Sequence, residues 1–483
     1  DLSALHASKL TLAARTGIPL ARWGRGLTVL LEKIMGNNYV HRLRAICLFE
    51  ADFNWWQKLV FAKRMMRLAG DKSIIPDEIF SKRGSHCNYA TMTKTFFCDT
   101  SKILHHPAAL EEEDFEQCYD RTAHPPQAIA LRSWGVDKQS VRMLLSAIRC
   151  MQYCLKTGFG ESERRYGGTE EDPIAGSCQG SGFAPGGFSS VSSLAVNAYR
   201  RLGHGAKIES AYSGRVFFLA MIMWVDNTDA LHWAPAPTTS DEELIAQVQA
   251  ATNDWGALVH ATGGSLGPDK CSLYLLSYRF VSGRTKIKSL HHLPQPTTMV
   301  TWKDGGNRVF APSHVTIPRS DGTAAPIATL GVSHASKMLG SHFAPIGDGT
   351  KHIEKMRQKG LDWVDRITAR PLLSRDAWFS FDLQLVPALM WGLVAVILSP
   401  SKLEEMLGKL YFAALPLLGV NRHIGTEWRT LPECYHGLGL PNFVSAAIAA
   451  KIHFLQCTWE RGDPAGNLGV ASYEAFLVEL GMY

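Results

Sequence analysis

An α+β fold is predicted by three features of this 483-residue chain. Helices alternate with short strands up to residue 202. Two apolar strands then meet at a tight turn within Val216–Trp233. Gly- and Pro-punctuated strands fill 264–350 before the pattern becomes helical to the end. The length is enough to bury several hydrophobic cores, and a boundary near residue 350 separates the β-rich part from the helical one. Apolar residues make up 46% and charged residues 19%, with no long low-complexity stretch, so extended disorder is excluded.

Arg42–Glu50 has the aliphatic content of a strand, and Asn54–Arg67 follows with helical spacing of Trp55, Leu59 and Met65 or Met66. A second strand is expected over 111–121. Its acidic opening, Glu111-Glu112-Glu113-Asp114, opposes strand propensity, a conflict that functional sites tolerate. Val141, Leu144, Leu145, Ile148, Met151 and Leu155 predict an amphipathic helix over 140–157, and 161–187, rich in Gly, Ser and charge, reads as a loop. Ser189–Leu202 is helical, and the two strands that follow surround Val225-Asp226-Asn227. Ser240 with Glu243 forms a capping box. The helix it starts has Leu244, Val248, Ala251, Trp255 and Leu258 on one face and ends at Gly263.

Short strands are expected at Ser272–Val281 and Met299–Trp302. In the helical remainder, Ser401 with Glu404 caps one helix and Phe443–Trp459 forms another. The most apolar run, Leu385–Leu398, contains Pro387 and Gly392 and is shorter than the ~20 residues of a bilayer span, so it reads as a buried helix and no membrane is expected.

The net charge of +6 favours a polyanionic partner only if the cations share a face. Ten cysteines are scattered without a CxxC frame, the closest being Cys150 and Cys154, which argues for reduced thiols and an intracellular compartment. His105-His106 and His291-His292 lack ligand spacing, and most tryptophans, Trp255 among them, read as core. The chain opens at Asp1 with no basic n-region or cleavage site, so it is expected to be a piece of a longer protein.

Three segments carry chemistry: Asp114-Phe115-Glu116-Gln117-Cys118-Tyr119, Gly176-Ser177-Cys178-Gln179-Gly180-Ser181 and Trp224-Val225-Asp226-Asn227. Nucleotidyl transfer by the two-metal route needs carboxylates that hold two cations close together, and neighbouring strands can present them. Asp114 and Asp226 are separated by a helix, a loop and another helix, a connection able to return a strand beside a hairpin.

In order and spacing these segments resemble motifs A, B and C of reverse transcriptases, of the type found in non-LTR retrotransposons and group II introns. Cys178-Gln179-Gly180-Ser181-Gly182-Phe183-Ala184-Pro185 resembles the family's Pro-Gln-Gly-Ser-x-x-Ser-Pro loop, departing at Cys178 and Ala184. Arg44-Ala45-Ile46 with Lys58 and Arg64 resembles its fingers segment, with Lys33 in support. Thr262–Lys270 resembles motif D and Met338-Leu339-Gly340 the motif E turn. Asn227 stands where the family has a second aspartate, which removes one charge from the metal site. Asp229 is out of register to replace it.

The resemblance implies a right-hand polymerase: fingers at 1–110, a palm at 111–350 whose β-sheet is catalytic and which holds a fingers insertion at about 122–175, and an all-helical thumb at 351–483. It implies RNA-directed DNA synthesis with Mg²⁺ or Mn²⁺, an RNA template, a DNA or RNA primer and dNTPs. Metal ligands would be Asp114, Asp226 and Phe115, with Asn227 a weakened position, and Phe115 would also contact substrate. Tyr119 would exclude the ribose 2′-hydroxyl, Gln179 and Gly180 would hold the nascent pair, Arg44 and Lys58 would bind triphosphate, and Lys270 would donate a proton to pyrophosphate. The rival expectation is a degenerate relative that binds nucleic acid without extending primers. An RNA-synthesising polymerase is disfavoured by Tyr119.

Overall fold

The computed structural model describes residues 1–33, 36–37, 39–40, 43–210, 212–296, 298–304, 307–319, 321–370 and 372–482. Its centre is a six-stranded sheet in the order Val315–Pro318, Ala324–Leu330, Ser272–Leu276, Ala108–Asp114, Asn227–Trp233, Met221–Trp224. Ala108–Asp114 is an inner strand, antiparallel to both neighbours. Pairing on both edges overrides the poor strand propensity of its glutamates, and Glu111 is fully buried.

Strand alternation puts Ala109, Glu111 and Glu113 on one face and Leu110, Glu112 and Asp114 on the other. The first face packs on the helix Asp241–Ala261 through Val248, Trp255 and Val259, and the Ser240–Glu243 capping box starts that helix as expected. The second face packs on the helix Cys87–Leu104, against which Pro464–Glu479 lies.

A second sheet has the order Leu43–Phe49, Arg25–Glu32, Gln152–Thr157, Gly160–Gly167. It corrects the helix expected over 140–157. The helix runs Lys138–Arg149, and Gln152–Lys156 pairs in parallel with Arg25–Val29. Met151 and Leu155, four apart, satisfy period 2 as well as period 3.6, so spacing could not separate the two. Gly160–Gly167, expected as loop, is a solvent-exposed edge strand whose charges hid it.

Other boundaries also move. The strand expected over 111–121 stops at Asp114, because Gln117 adopts φ 50° and Cys118–Arg121 makes one helical turn. The helix expected from Asn54 begins at Ala51, where Glu50 caps it, and continues through a π-helical stretch, Lys58–Met65, to Asp71. Ala184–Arg201 begins earlier than Ser189, with Pro185 in its first turn, where its missing N–H costs nothing. Pro400–Ala414 begins after Ser399, so Ser401 is inside the helix and not its cap. Leu385–Leu398 is helical only to Met390, and Gly392 at φ 85° turns the chain with Leu389 and Leu393 still buried.

From Thr350 to Glu479 the described residues form helices and turns only. All ten cysteines are free, and no helix among the described residues is long and apolar enough to cross a membrane. Trp255 is in the core, as are Trp23 and Trp363, whereas Trp55, Trp428 and Trp459 are exposed. Arg42, the first residue of the expected strand, lies outside the described residues.

Candidate active site

The hairpin Met221–Trp224/Asn227–Trp233 closes with two residues, Val225 and Asp226, and pairs Trp224 with Asn227. Val225 sits at φ 56°, a left-handed conformation that a β-branched residue rarely adopts, and such strain concentrates at functional sites. On the other edge Asn227 pairs with Asp114, and the Phe115 N–H donates to the Asp226 carbonyl at 3.2 Å. Asp114, Asp226 and Asn227 are therefore brought together at one end of the sheet. The Phe115 ring turns into the core against Phe188 and Trp255, so only its backbone lies along the Asp226 turn.

The turn at 262–270 joins this cluster. Glu116 N–H donates to the Ser265 carbonyl at 2.9 Å and Gly267 N–H to the Asp114 carbonyl at 2.9 Å. Gly263, at φ 85°, lies so close to the Arg121 carbonyl that a Cβ would stand 2.8 Å from it. Lys270 consequently reaches Asp114, with Nζ 2.6 Å from Oδ1. Asn227 Nδ2 donates to Asp226 Oδ1 at 3.3 Å. Burial raises the Asp226 carboxyl above its usual range and Asp114 adds to this, while Lys270 and Arg44 oppose it. Arg44, on a strand of the second sheet, is thus within electrostatic reach of the cluster.

The loop 176–183 bridges the two sheets. Ser177 N–H donates to the Tyr119 carbonyl at 2.6 Å, and Cys47 N–H donates to the Gln179 carbonyl at 2.7 Å. Gly180, at φ 107°, lies against Cys47, whose carbonyl oxygen would be 2.2 Å from a Cβ. Gly182 N–H donates to Asn54 Oδ1 at 2.7 Å, and a Cβ at Gly182 would meet the Lys58 side chain at 2.4 Å. Gln179, Gly180 and Lys58 are thereby gathered on one loop and helix. The Tyr119 ring packs edge-on against Phe188, and burial raises its hydroxyl pKa. Met338-Leu339-Gly340 turns a small hairpin whose Leu339 carbonyl accepts from Trp391 Nε1 at 3.0 Å.

Sequence reasoning missed one buried network. Lys94, with a side chain 0% exposed, has Nζ 2.5 Å from Glu112 Oε1 and 3.0 Å from Asp229 Oδ1. Glu112 and Asp229 are register partners two residues behind Asp114 and Asn227. Ser272 and Ser336 also donate to Glu112, at 2.9 and 2.6 Å. The available signal was a lysine on the stripe Ala90, Lys94, Phe97, Ser101 of an otherwise core-facing helix surface.

Asp114, Asp226 and the Asn227 amide are hard oxygen donors suited to Mg²⁺ or Mn²⁺. Among the described residues no three His, Cys, Asp or Glu side chains are grouped to hold a metal ion.

No protein family and no curated protein matches the chain. Among solved structures it is similar to apo telomerase from Candida tropicalis, at 12% identity and a TM-score of 0.44 over 96% of this chain and 67% of that one. It is also similar to telomerase from Candida albicans in complex with a TWJ fragment of telomeric RNA, at 12% identity and 0.42 over 99% of this chain and 66% of that one. A third likeness is to apo Candida tropicalis telomerase truncated from the C-terminal domain, at 12% identity and 0.36, covering 56% of each chain. The chain spans 56% to 67% of the length of these structures.

Proposed function

We propose that this chain is an RNA-directed DNA polymerase of a retroelement, built as a right hand. The observation that carries the reading is the register of Asp114 against Asn227, with Asp226 in the adjoining turn and Lys270 on Asp114. In this reading residues 1–110 are fingers, 111–350 palm and 351–483 thumb. Assigning 122–175 to a fingers insertion is supported by the second sheet, which 25–49 and 152–167 build together.

Mg²⁺ or Mn²⁺ held by Asp114, Asp226 and the Phe115 backbone would activate the primer 3′-hydroxyl and steady the leaving pyrophosphate. Lys270 Nζ holds the proton that pyrophosphate takes up. In this reading Arg44 and Lys58 bind the triphosphate, and Tyr119 excludes the ribose 2′-hydroxyl. Gln179 and Gly180 support the nascent pair, Gly180 because it alone lets the loop lie against Cys47.

A second reading, a degenerate polymerase that binds nucleic acid without extending primers, is favoured by Asn227, whose amide donates to Asp226 where a second carboxylate would ligate. Primer extension on an RNA template with dNTPs separates the two, using the chain as given, Asn227→Asp and Asp226→Ala, each in Mg²⁺ and Mn²⁺. Extension abolished by Asp226→Ala supports the polymerase. Silence relieved only by Asn227→Asp means an intact hand disabled at one ligand, and silence in all three leaves the binding protein.

A further inference from the structure

A two-stranded ribbon, Tyr278–Val281 with Arg284–Ile287, leaves the central sheet at the end away from Asp114. The sheet strand before it pairs Leu276 with Ala108, six residues from Asp114, so at ~3.4 Å per residue the ribbon starts about 20 Å from the candidate active site. Its pairing segregates charge. Arg279 opposes Lys286 and Val281 opposes Arg284, on one face, while Tyr278 with Ile287 and Phe280 with Thr285 occupy the other. Residues 278–292 contain no acidic residue.

The ribbon is anchored at its root. Tyr278 Oη is 2.8 Å from Ser101 Oγ, Lys288 N–H donates to the Ser277 carbonyl at 2.7 Å, and Lys288 Nζ pairs with Asp241 at 2.6 Å. Beyond that root no described carboxylate is at salt-bridge distance from Arg279, Arg284 or Lys286. Phe280 is 74% exposed. His292 lies in the same field: desolvation lowers its pKa, and Arg279, His291 and Lys288 lower it further. An ordinary solvated face interleaves both signs. A like-charged face held on an anchored ribbon, with an exposed ring behind it, instead suits a phosphate backbone with a base to stack.

We propose that the ribbon 278–288 is a second nucleic-acid contact, gripping the phosphate backbone of a single-stranded RNA remote from Asp114. This rests on the nucleic-acid reading above, and it adds a surface that the site at Asp114 does not contain. The partner is identified by chemistry alone: a flexible polyanion whose bases are free to stack.

The test measures binding of labelled oligo(U) RNA by the full chain across a salt series. The chain as given is compared with Arg279→Gln/Arg284→Gln/Lys286→Gln and with Phe280→Ala. A charge-matched control carries Lys9→Gln/Lys72→Gln/Arg375→Gln, three exposed cations lying elsewhere. The expected result is about 10-fold weaker binding by the ribbon triple variant than by the control. The salt slope should fall by about 2, as loss of three contacts at ~0.7 each requires. Phe280→Ala, which keeps the charge, should also weaken binding.

Equal binding by the ribbon and control variants overturns the inference and leaves the polymerase reading standing. No RNA binding by any form overturns both. Capture of phosphatidylserine vesicles in place of RNA, lost in the ribbon variant, reassigns the face to a lipid surface and overturns the inference. Circular dichroism melts confirm that the substitutions leave the fold intact, which matters most at Arg279, whose Nε is buried without a hydrogen-bond partner whereas Arg284, Lys286 and Phe280 are exposed.

Discussion

Lys94→Met removes the cation between Glu112 and Asp229, and its effect follows from burial. The Lys94 side chain is 0% exposed, and the two carboxylate side chains are 15% and 8% exposed. Burial alone would lower the Lys94 pKa, yet Asp229 and Glu112 outweigh it and hold the ammonium above its ordinary value. Burial pushes the Asp229 carboxyl up to about 6 even with Lys94 beside it.

Without the lysine, two carboxylates oppose each other across paired strands with no counter-charge, a loss of roughly 3–5 kcal/mol for a broken buried pair. The variant's relief is a proton. Its folded form should bind one at a pH where the unfolded chain, with aspartate ionising near ~3.9, has none. Stability therefore falls as pH rises through that interval, by up to about 1.4 kcal/mol per unit, so the loss is larger at pH 8 than at pH 5. Urea unfolding followed by near-ultraviolet circular dichroism at both pH values measures it. Adding Glu112→Gln and Asp229→Asn should recover most of the loss by removing the uncompensated charges. A Lys94→Met protein within about 0.5 kcal/mol of the parent at pH 8, where distant surface changes fall, would refute the reasoning.

Other outcomes follow from single contacts. Glu113 is buried, and that burial, with Glu111 next, holds its carboxyl well above the usual range. The folded form keeps its proton above the unfolded value of ~4.3, so stability is lost as pH rises to the folded pKa. Glu113→Gln should flatten that slope and be the more stable form at pH 8, and superimposable pH profiles would count against this. Gly180→Ala puts a Cβ 2.2 Å from the Cys47 carbonyl oxygen at φ 107° and should cost about 1–3 kcal/mol. Hydrogen exchange of the Cys47 N–H should rise with it, and unchanged protection would mean the loop is not held there. If the chain extends primers, Lys270→Ala should lower kcat by about 10²-fold with little change in melting temperature, and an equal kcat would remove Lys270 from the chemistry.

Legibility in the sequence divides by the range of the interaction. The helix after Ser240 could be read because its cap, its apolar face and its terminating glycine are all local. The strand at 43–49 and the hairpin around Asp226 likewise carry their own composition and turn. The strand at 152–157 could not be read, since its pairing with Arg25–Val29 is made more than a hundred residues away. Lys94 illustrates the same limit. A lysine on a buried helix face announces that something compensates it, but only the paired strands identify Glu112 and Asp229 as its partners.

The sequence by itself determined the α+β character, the three chemically suggestive segments and the substitution at Asn227. Tertiary structure alone decided that Asp114 faces Asn227, that Lys270 folds back to Asp114, and that loop 176–183 clasps Cys47 and Asn54. The reason is physical. Caps, turns and apolar periods are settled by neighbours within a few residues, whereas strand order and register are settled by burial shared among segments that meet only once the chain has closed its loops.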